Sequence, residues 1–313
     1  MPFQIPVTRH ALNHVMTEGL SASQLLFKMH DSSRGTHGAA VSPAALKERV
    51  SKFAPQFTGS KQHDCQEFLR FLIDGLCEDL NSDPDLSILM IDSMENERER
   101  VRLSREAWFG HIQRGYSAFL ELFCGQFESR ITCLECSKDS LTYDPFMDLS
   151  LPMPQDSRHA CTVMDCLTSF TAREVLDEAD AYWCDHCKAF RMASKELRIR
   201  RSPPVLVMHM KRFSYTETSR QKLETPLHMP EKGLDMSSFM CQVESETVED
   251  SCLYDLQAVC LHTGGLAGGH YTAAVKEGDN WYICNDSIVR PALSGVDDLN
   301  GAEPYVLFYV KRD

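Results

Sequence analysis

No stretch of this chain is apolar for long enough to cross a bilayer, which takes about 20 consecutive residues in a helix. The first residues, MPFQIPVTRHALNHVMTEG, lack the cationic start and apolar core of a secretory signal. The sequence therefore predicts an intracellular chain, cytoplasmic or nuclear, with no membrane partner. Positive charge is outweighed, with 32 Lys and Arg against 45 Asp and Glu. The formal net charge is −13, whereas a nucleic-acid binder normally presents a basic face, so no nucleic-acid partner is expected. Internal repeats and low-complexity tracts are absent, which removes solenoids and arrays from consideration.

Cysteine, by contrast, is plentiful. Thirteen cysteines in 313 residues, in a chain without a secretory start, point to metal binding or catalysis rather than to disulfides. The apolar fraction of 43% and the length allow a large core in one elaborate domain or two. Helical signals dominate the first half. Leu25, Leu26 and Met29 suit a short helix, and residues 31–38 read as a loop. Ser42 and Pro43 read as an N-cap and a first helical residue, with Leu46, Val50 and Phe53 on one apolar face and Pro55 as the stop. Asp64 and Glu67 have capping-box spacing ahead of Phe68, Leu72, Leu76 and Leu80, which recur every four residues. The charged stretch 81–105 reads as a linker followed by an exposed helix.

Strand signals dominate the second half. Residues 147–154, 205–210, 253–261 and 305–310 alternate or run apolar, a helix is expected near 162–171, and the acidic 241–250 stretch reads as a loop. The order is that of an α+β protein. Cys133-x-x-Cys136 and Cys184-x-x-Cys187 each sit where a strand gives way to a tight turn, so four thiolates can close a tetrahedral structural zinc site, one ion per chain. Their separation demands a helix and strands between them. Cys161 and Cys166, spaced i and i+5, read as packing residues.

Residues 264–289 read GGLAGGHYTAAVKEGDNWYICNDSIV. His270 opens an alternating strand, Glu277-Gly278-Asp279-Asn280 makes a hairpin turn, and Trp281 begins a returning strand that ends at Asn285-Asp286. The hairpin carries that amide and carboxylate back beside His270. A histidine steered by such a partner is two parts of a nucleophilic triad. The flanking Gly268 and Gly269 let a backbone or a thin substrate come close.

Gln62-His63-Asp64-Cys65-Gln66-Glu67-Phe68-Leu69, the two cysteine pairs, Met208-His209-Met210-Lys211-Arg212-Phe213, Gly268-Gly269-His270-Tyr271 and Asn285-Asp286-Ser287 occur in that order. Together they resemble the catalytic domain of ubiquitin-specific proteases, cysteine peptidases that cut after ubiquitin's C-terminal glycine. The resemblance runs from about residue 42 to the C-terminus. It implies a papain-like thumb–palm–fingers fold: thumb helices over about 1–115, a zinc-clamped β fingers lobe over 128–200 and palm strands over 201–313. His270 would be the general base, Asn285 its orienting partner and Asp286 an assistant. Asp64, Gly268, Gly269 and Tyr271 would line the path of ubiquitin's tail. Ubiquitin and ubiquitinated proteins would be the partners.

One family element is missing. The Gly-Asn-Thr-Cys box that supplies the nucleophile does not occur, and no cysteine precedes Cys65. The sequence is expected to begin after that box. Cys65, where the family usually has a small residue, lies at a helix start that would lower a thiol's pKa, but its place in the run displaces it from the position opposite His270. The chain as given is therefore expected to be inactive alone, either as part of an active hydrolase or as a ubiquitin-binding pseudoenzyme. A zinc-stabilised binding module unrelated to ubiquitin is the third reading.

Overall fold

The computed structural model describes residues 21, 22, 24–26, 42–82, 99–154, 159–215, 220–241, 252–265 and 268–312. The expected helix at 21–29 is described only at residues 21, 22 and 24–26, of which 22 and 24–26 are helical. The 31–38 loop, residues 83–98 of the charged stretch and the 242–250 acidic segment lie outside the described residues. Two compact units emerge, one comprising 1–86 and 112–122, the other 87–111 and 123–313. Among the described residues, no helix is long and apolar enough to cross a membrane.

In the first unit, helix α1 (Ala44–Phe53) starts one residue later than its sequence suggests. Pro43, at φ −81° and ψ 8°, is the cap rather than the first helical residue. Leu46 and Val50 are buried as expected. Phe53 is 41% exposed, yet its ring lies over Gly75, where an added Cβ would stand 2.5 Å from Phe53 Cζ. Helix α2 (Cys65–Asp79) is capped as predicted: Asp64 Oδ1 accepts from the backbone N–H of Gln66 at 2.8 Å and of Glu67 at 3.2 Å. Ile73 and Leu76 carry its buried face, and Phe57 meets Phe68 and Phe71 edge to face. Asp64→Ala is expected to cost this helix about 1 kcal/mol. The loss should appear as faster amide exchange at Gln66 and Glu67, with most protection kept in Asp64→Asn.

The second unit holds most of helix α3 (Glu99–Ile112). Among its strands, in chain order, are β1 (Gly125–Cys133), β2 (Asp139–Phe146), β3 (Leu149–Pro152), β4 (Glu174–Leu176), β5 (Tyr182–Cys184), β6 (Ala189–Arg191), β7 (Ala193–Arg201), β8 (Val205–Lys211), β9 (Leu253–Gly265), β10 (Gly268–Glu277), β11 (Asn280–Asn285), β12 (Ile288–Pro291) and β13 (Pro304–Lys311), besides five short strands of two or three residues among the described residues. Among the described residues β12-β11-β10-β9-β13-β8-β3 form one large sheet in that order, with the short Leu234–Asp235 strand beside β9. The smaller sheet runs β2-β1-β7-β4. The predicted strands at 147–154, 205–210, 253–261 and 305–310 are all present.

Apolar side chains of β3, β8, β9 and β13 make the core. Leu149, Leu151, Leu206, Met208, Leu256 and Leu307 are fully buried, and Val163, Cys166 and Leu167 of the Val163–Phe170 helix join them. That helix carries a full Thr162–Asp165 capping box, matching its expected span. Cys161 and Cys166 are buried in this core, as packing residues would be. Arg212 is fully buried, and among the described residues no carboxylate is a hydrogen-bond partner of it. Its guanidinium donates to the carbonyl oxygens of Pro304, Leu223, Thr225 and Gly301 at 2.6 to 3.3 Å. Burial pulls its pKa down to about 10, well above neutral pH, so the cation persists.

The 81–105 stretch departs from expectation. The described part of α3 is not merely an exposed, solvated helix. Ser104 is buried and donates to Gln126 Oε1 at 2.8 Å. Arg100 clamps the buried carboxylate of Glu128 through Nε at 2.6 Å and through Nη2, while Tyr143 Oη also donates to that carboxylate. A charge-rich sequence looks solvated when its counter-charge, here Glu128, lies 28 residues away.

Candidate active site and metal cluster

β10 and β11 form the predicted hairpin. Glu277 pairs with Asn280, Gly278 takes φ +60° in the turn, and the ladder runs back to Ala273 opposite Cys284. Continuing this register brings the end of β11 toward the start of β10. His270 Nε2 stands 2.7 Å from Asn285 Oδ1. With an amide oxygen as acceptor, Nε2 carries the proton, and Nδ1 is left with the lone pair that a general base needs. Asp286 Oδ2 is 4.0 Å from the same nitrogen and mostly exposed. Its backbone sits at φ +50°, a left-handed conformation that aspartate tolerates in turns. Asn285 is thus the direct partner of the ring and Asp286 a flanking charge.

Gly268, Gly269 and Tyr271 flank His270 on β10. Gly264 at φ +92° faces Gly269 across the β9–β10 ladder, and a Cβ there would lie 2.7 Å from the Gly268 carbonyl oxygen. Only glycine fits such a close approach. Asp64 and Cys65 lie in the first unit, Asp64 as a helix cap and Cys65 as the first helical residue, as expected. The sequence reading passed over His262, which the ladder sets opposite Tyr271. Its only signal was the alternation of β9 continued beyond residue 261.

The four cysteines converge. The Sγ atoms of Cys133, Cys136, Cys184 and Cys187 all lie within 4.8 Å of one another, and those of Cys136 and Cys184 are 3.6 Å apart. A tetrahedral ion with metal–sulfur bonds of about 2.3 Å needs sulfurs about 3.8 Å apart, so the cluster can hold a metal ion with little adjustment. Local turns build it. Ser137 and Lys188, each just after a second cysteine, adopt φ near +55° (58° and 52°), and their N–H groups donate to the Cys133 and Cys184 carbonyls. The Cys187 backbone N–H points at Cys184 Sγ and draws that thiol down to about 7. Hydrogen bonding to Cys136, first among its thiol neighbours, pushes Cys187 up to about 12.

A family model described as ubiquitin carboxyl-terminal hydrolase matches residues 8–309. Ubiquitin carboxyl-terminal hydrolase 2 of Gallus gallus is 38% identical over 274 residues, which cover 86% of this chain and 74% of the relative. The Homo sapiens protein of the same name is 35% identical over a stretch covering 86% of this chain and 44% of its own length. The chain therefore spans less than half of the human relative. Among solved structures, a SAGA Ubp8/Sgf11/Sus1/Sgf73 DUB module bound to ubiquitin aldehyde matches with a TM-score of 0.69 and 25% identity, covering 97% of this chain and 64% of that one. A Ubp8 module bound to monoubiquitin matches with a TM-score of 0.64 and 28% identity, covering 86% of this chain and 52% of that one.

Proposed function

Because the chain belongs to the ubiquitin carboxyl-terminal hydrolase family, we propose that it carries the ubiquitin-binding and general-base parts of a thiol-dependent deubiquitinase. The observation that carries this reading is the 2.7 Å contact between His270 Nε2 and Asn285 Oδ1 at the mouth of a glycine-lined strand. His270 is the base, Asn285 fixes its tautomer and Asp286 adds negative charge nearby. A thiol set against Nδ1 would give its proton to the ring. The thiolate would attack the carbonyl carbon of ubiquitin's terminal glycine, and the imidazolium would return the proton to the departing amine. That thiol is not among the residues contacting His270: among the described residues, the polar partners of the ring are Asn285 and Asp286.

On this reading the chain as given, whose sequence carries no Gly-Asn-Thr-Cys box, lacks the nucleophile and is inactive by itself. In the same reading Asp64, Gly268, Gly269 and Tyr271 line the path of ubiquitin's tail. Residues 1–115 act as a thumb, 128–200 as fingers and 201–313 as a palm. The cysteine cluster holds one structural zinc ion, which fixes the far end of the fingers. Exposed Trp183 and Phe190, in edge-to-face contact beside that cluster, support a partner-gripping role. The protein works inside the cell, in cytoplasm or nucleus, on ubiquitin and ubiquitinated proteins, with neither nucleic acid nor membrane as a partner.

Titration into labelled ubiquitin tests the reading. Amide resonances at ubiquitin's C-terminal tail and on the body gripped by the fingers are expected to shift in a saturable way. Unmoved ubiquitin spectra at high concentration would end the proposal. A pseudoenzyme that shields or presents ubiquitin remains the second reading, favoured by the absence of a cysteine box from the sequence.

A further inference from the structure

His270 is about half exposed, with 48% of its side-chain surface open. Few neighbours therefore hold the ring itself, and its aim must come from the backbone that carries it. In the β9–β10 ladder Thr263 stands opposite His270, Gly264 opposite Gly269 and His262 opposite Tyr271. Side chains alternate across a sheet, so His262, Gly269 and Tyr271 belong to one face and His270 to the other.

His262 is buried, at 4% exposure. A Cβ on Gly269 would stand 2.1 Å from His262 Nε2 and 2.6 Å from the Thr263 carbonyl oxygen. The His262 imidazole thus occupies the space of the side chain that Gly269 does not have. It packs against the backbone one residue before His270. The ring is held in turn by Tyr271, Phe213 and Tyr305, with centroids 4.7, 5.4 and 6.0 Å away. Lys222 Nζ donates to the His262 carbonyl oxygen at 2.6 Å, tying down the same strand. Glycine would otherwise give residues 268–270 a wide choice of backbone conformations. A side chain from the adjacent strand removes that choice.

We infer that His262 is a positioning residue for His270: packed under Gly269, it fixes the backbone from which the His270 ring reaches Asn285. The inference rests on the reading of His270 as the base. Its physical warrant is the narrow geometry of a hydrogen bond, which weakens steeply with misalignment. A small rotation of the 268–270 backbone would carry Nε2 out of reach and free the ring to exchange tautomers.

Nitrogen NMR of the metal-loaded chain, labelled at histidine and held at alkaline pH, reads this directly. With Nε2–H held on Asn285, the two His270 ring nitrogens give well-separated signals. His262→Ala is expected to shrink that separation to roughly half as tautomers mix. His262→Phe, which restores a ring over Gly269, is expected to recover it. Asn285→Ala sets the fully mixed limit. Should His262→Ala reduce the folded fraction, His262→Leu fills the core without a flat ring and is expected to give the same loss. An unchanged separation in a folded Ala or Leu variant, or no recovery in the Phe variant, overturns the inference. The readout needs neither ubiquitin nor turnover, so a failed ubiquitin titration and a failed positioning role give different results.

Discussion

Cys184→Ser is expected to empty the four-sulfur cluster and to unfold the end of the smaller sheet. The wild-type chain, desalted and analysed for metal, should retain close to one zinc ion, and the variant close to none. The scale is large because a preformed site does not survive in the unfolded chain, so metal binding is folding energy. Small zinc peptides draw about 10–16 kcal/mol from it at neutral pH. β5 and β6 are three residues each, and Trp183, Phe190 and Met192 nearby are largely exposed. Amide protection should vanish across 133–138 and 182–191 in the variant and persist in β10. Acid should mimic the substitution, because each thiol must lose its proton to bind the metal and the thiolate regains it as pH falls. A wild-type chain that carries no zinc would sink the metal assignment.

No covalent adduct is expected when this 313-residue chain meets ubiquitin bearing a C-terminal electrophile. Base, orienting group and nucleophile act as a unit, and loss of the nucleophile alone from such a unit costs about a millionfold in turnover. Among the described residues the polar contacts of the His270 ring are Asn285, at 2.7 Å, and Asp286, with no thiol between them. The first cysteine in the sequence is Cys65, at the start of a helix in the other compact unit. Intact-mass measurement should show the chain unmodified, while a non-covalent ubiquitin titration still saturates. A thioether mapped to Cys65 would overturn the claim and make that residue the nucleophile. A longer chain carrying a Gly-Asn-Thr-Cys box ahead of residue 1 should react where this one does not.

The parts of the site that were legible in the sequence are those whose geometry is local. Asp64 caps α2 because the groups it binds are two and three residues away. The His270–Asn285 pair spans 15 residues and a single tight hairpin, so alternation and one turn fix its register. Each cysteine pair makes its own turn, and only the meeting of the two pairs needed a fold. Where the sequence misled, distance in the chain was the cause. Arg100 read as a solvent-facing charge because Glu128 is on another element, and a buried Glu–Arg clamp has no short-range signature. Pro43 slipped from first helical residue to cap because a boundary shift of one residue changes little energy.

Residue spacing alone determined the α+β order, the two cysteine pairs and the pairing of His270 with Asn285, since each rests on a period, a turn or a short motif. Tertiary structure decided what holds them. It chose the four carbonyls, 11 to 92 residues away, that surround the Arg212 cation, and the imidazole of His262 that fills the space beside Gly269. Long-range partners of this kind are selected by which strands come to lie side by side, and strand order in a sheet is settled by burying the common apolar face rather than by any neighbouring residues in the chain.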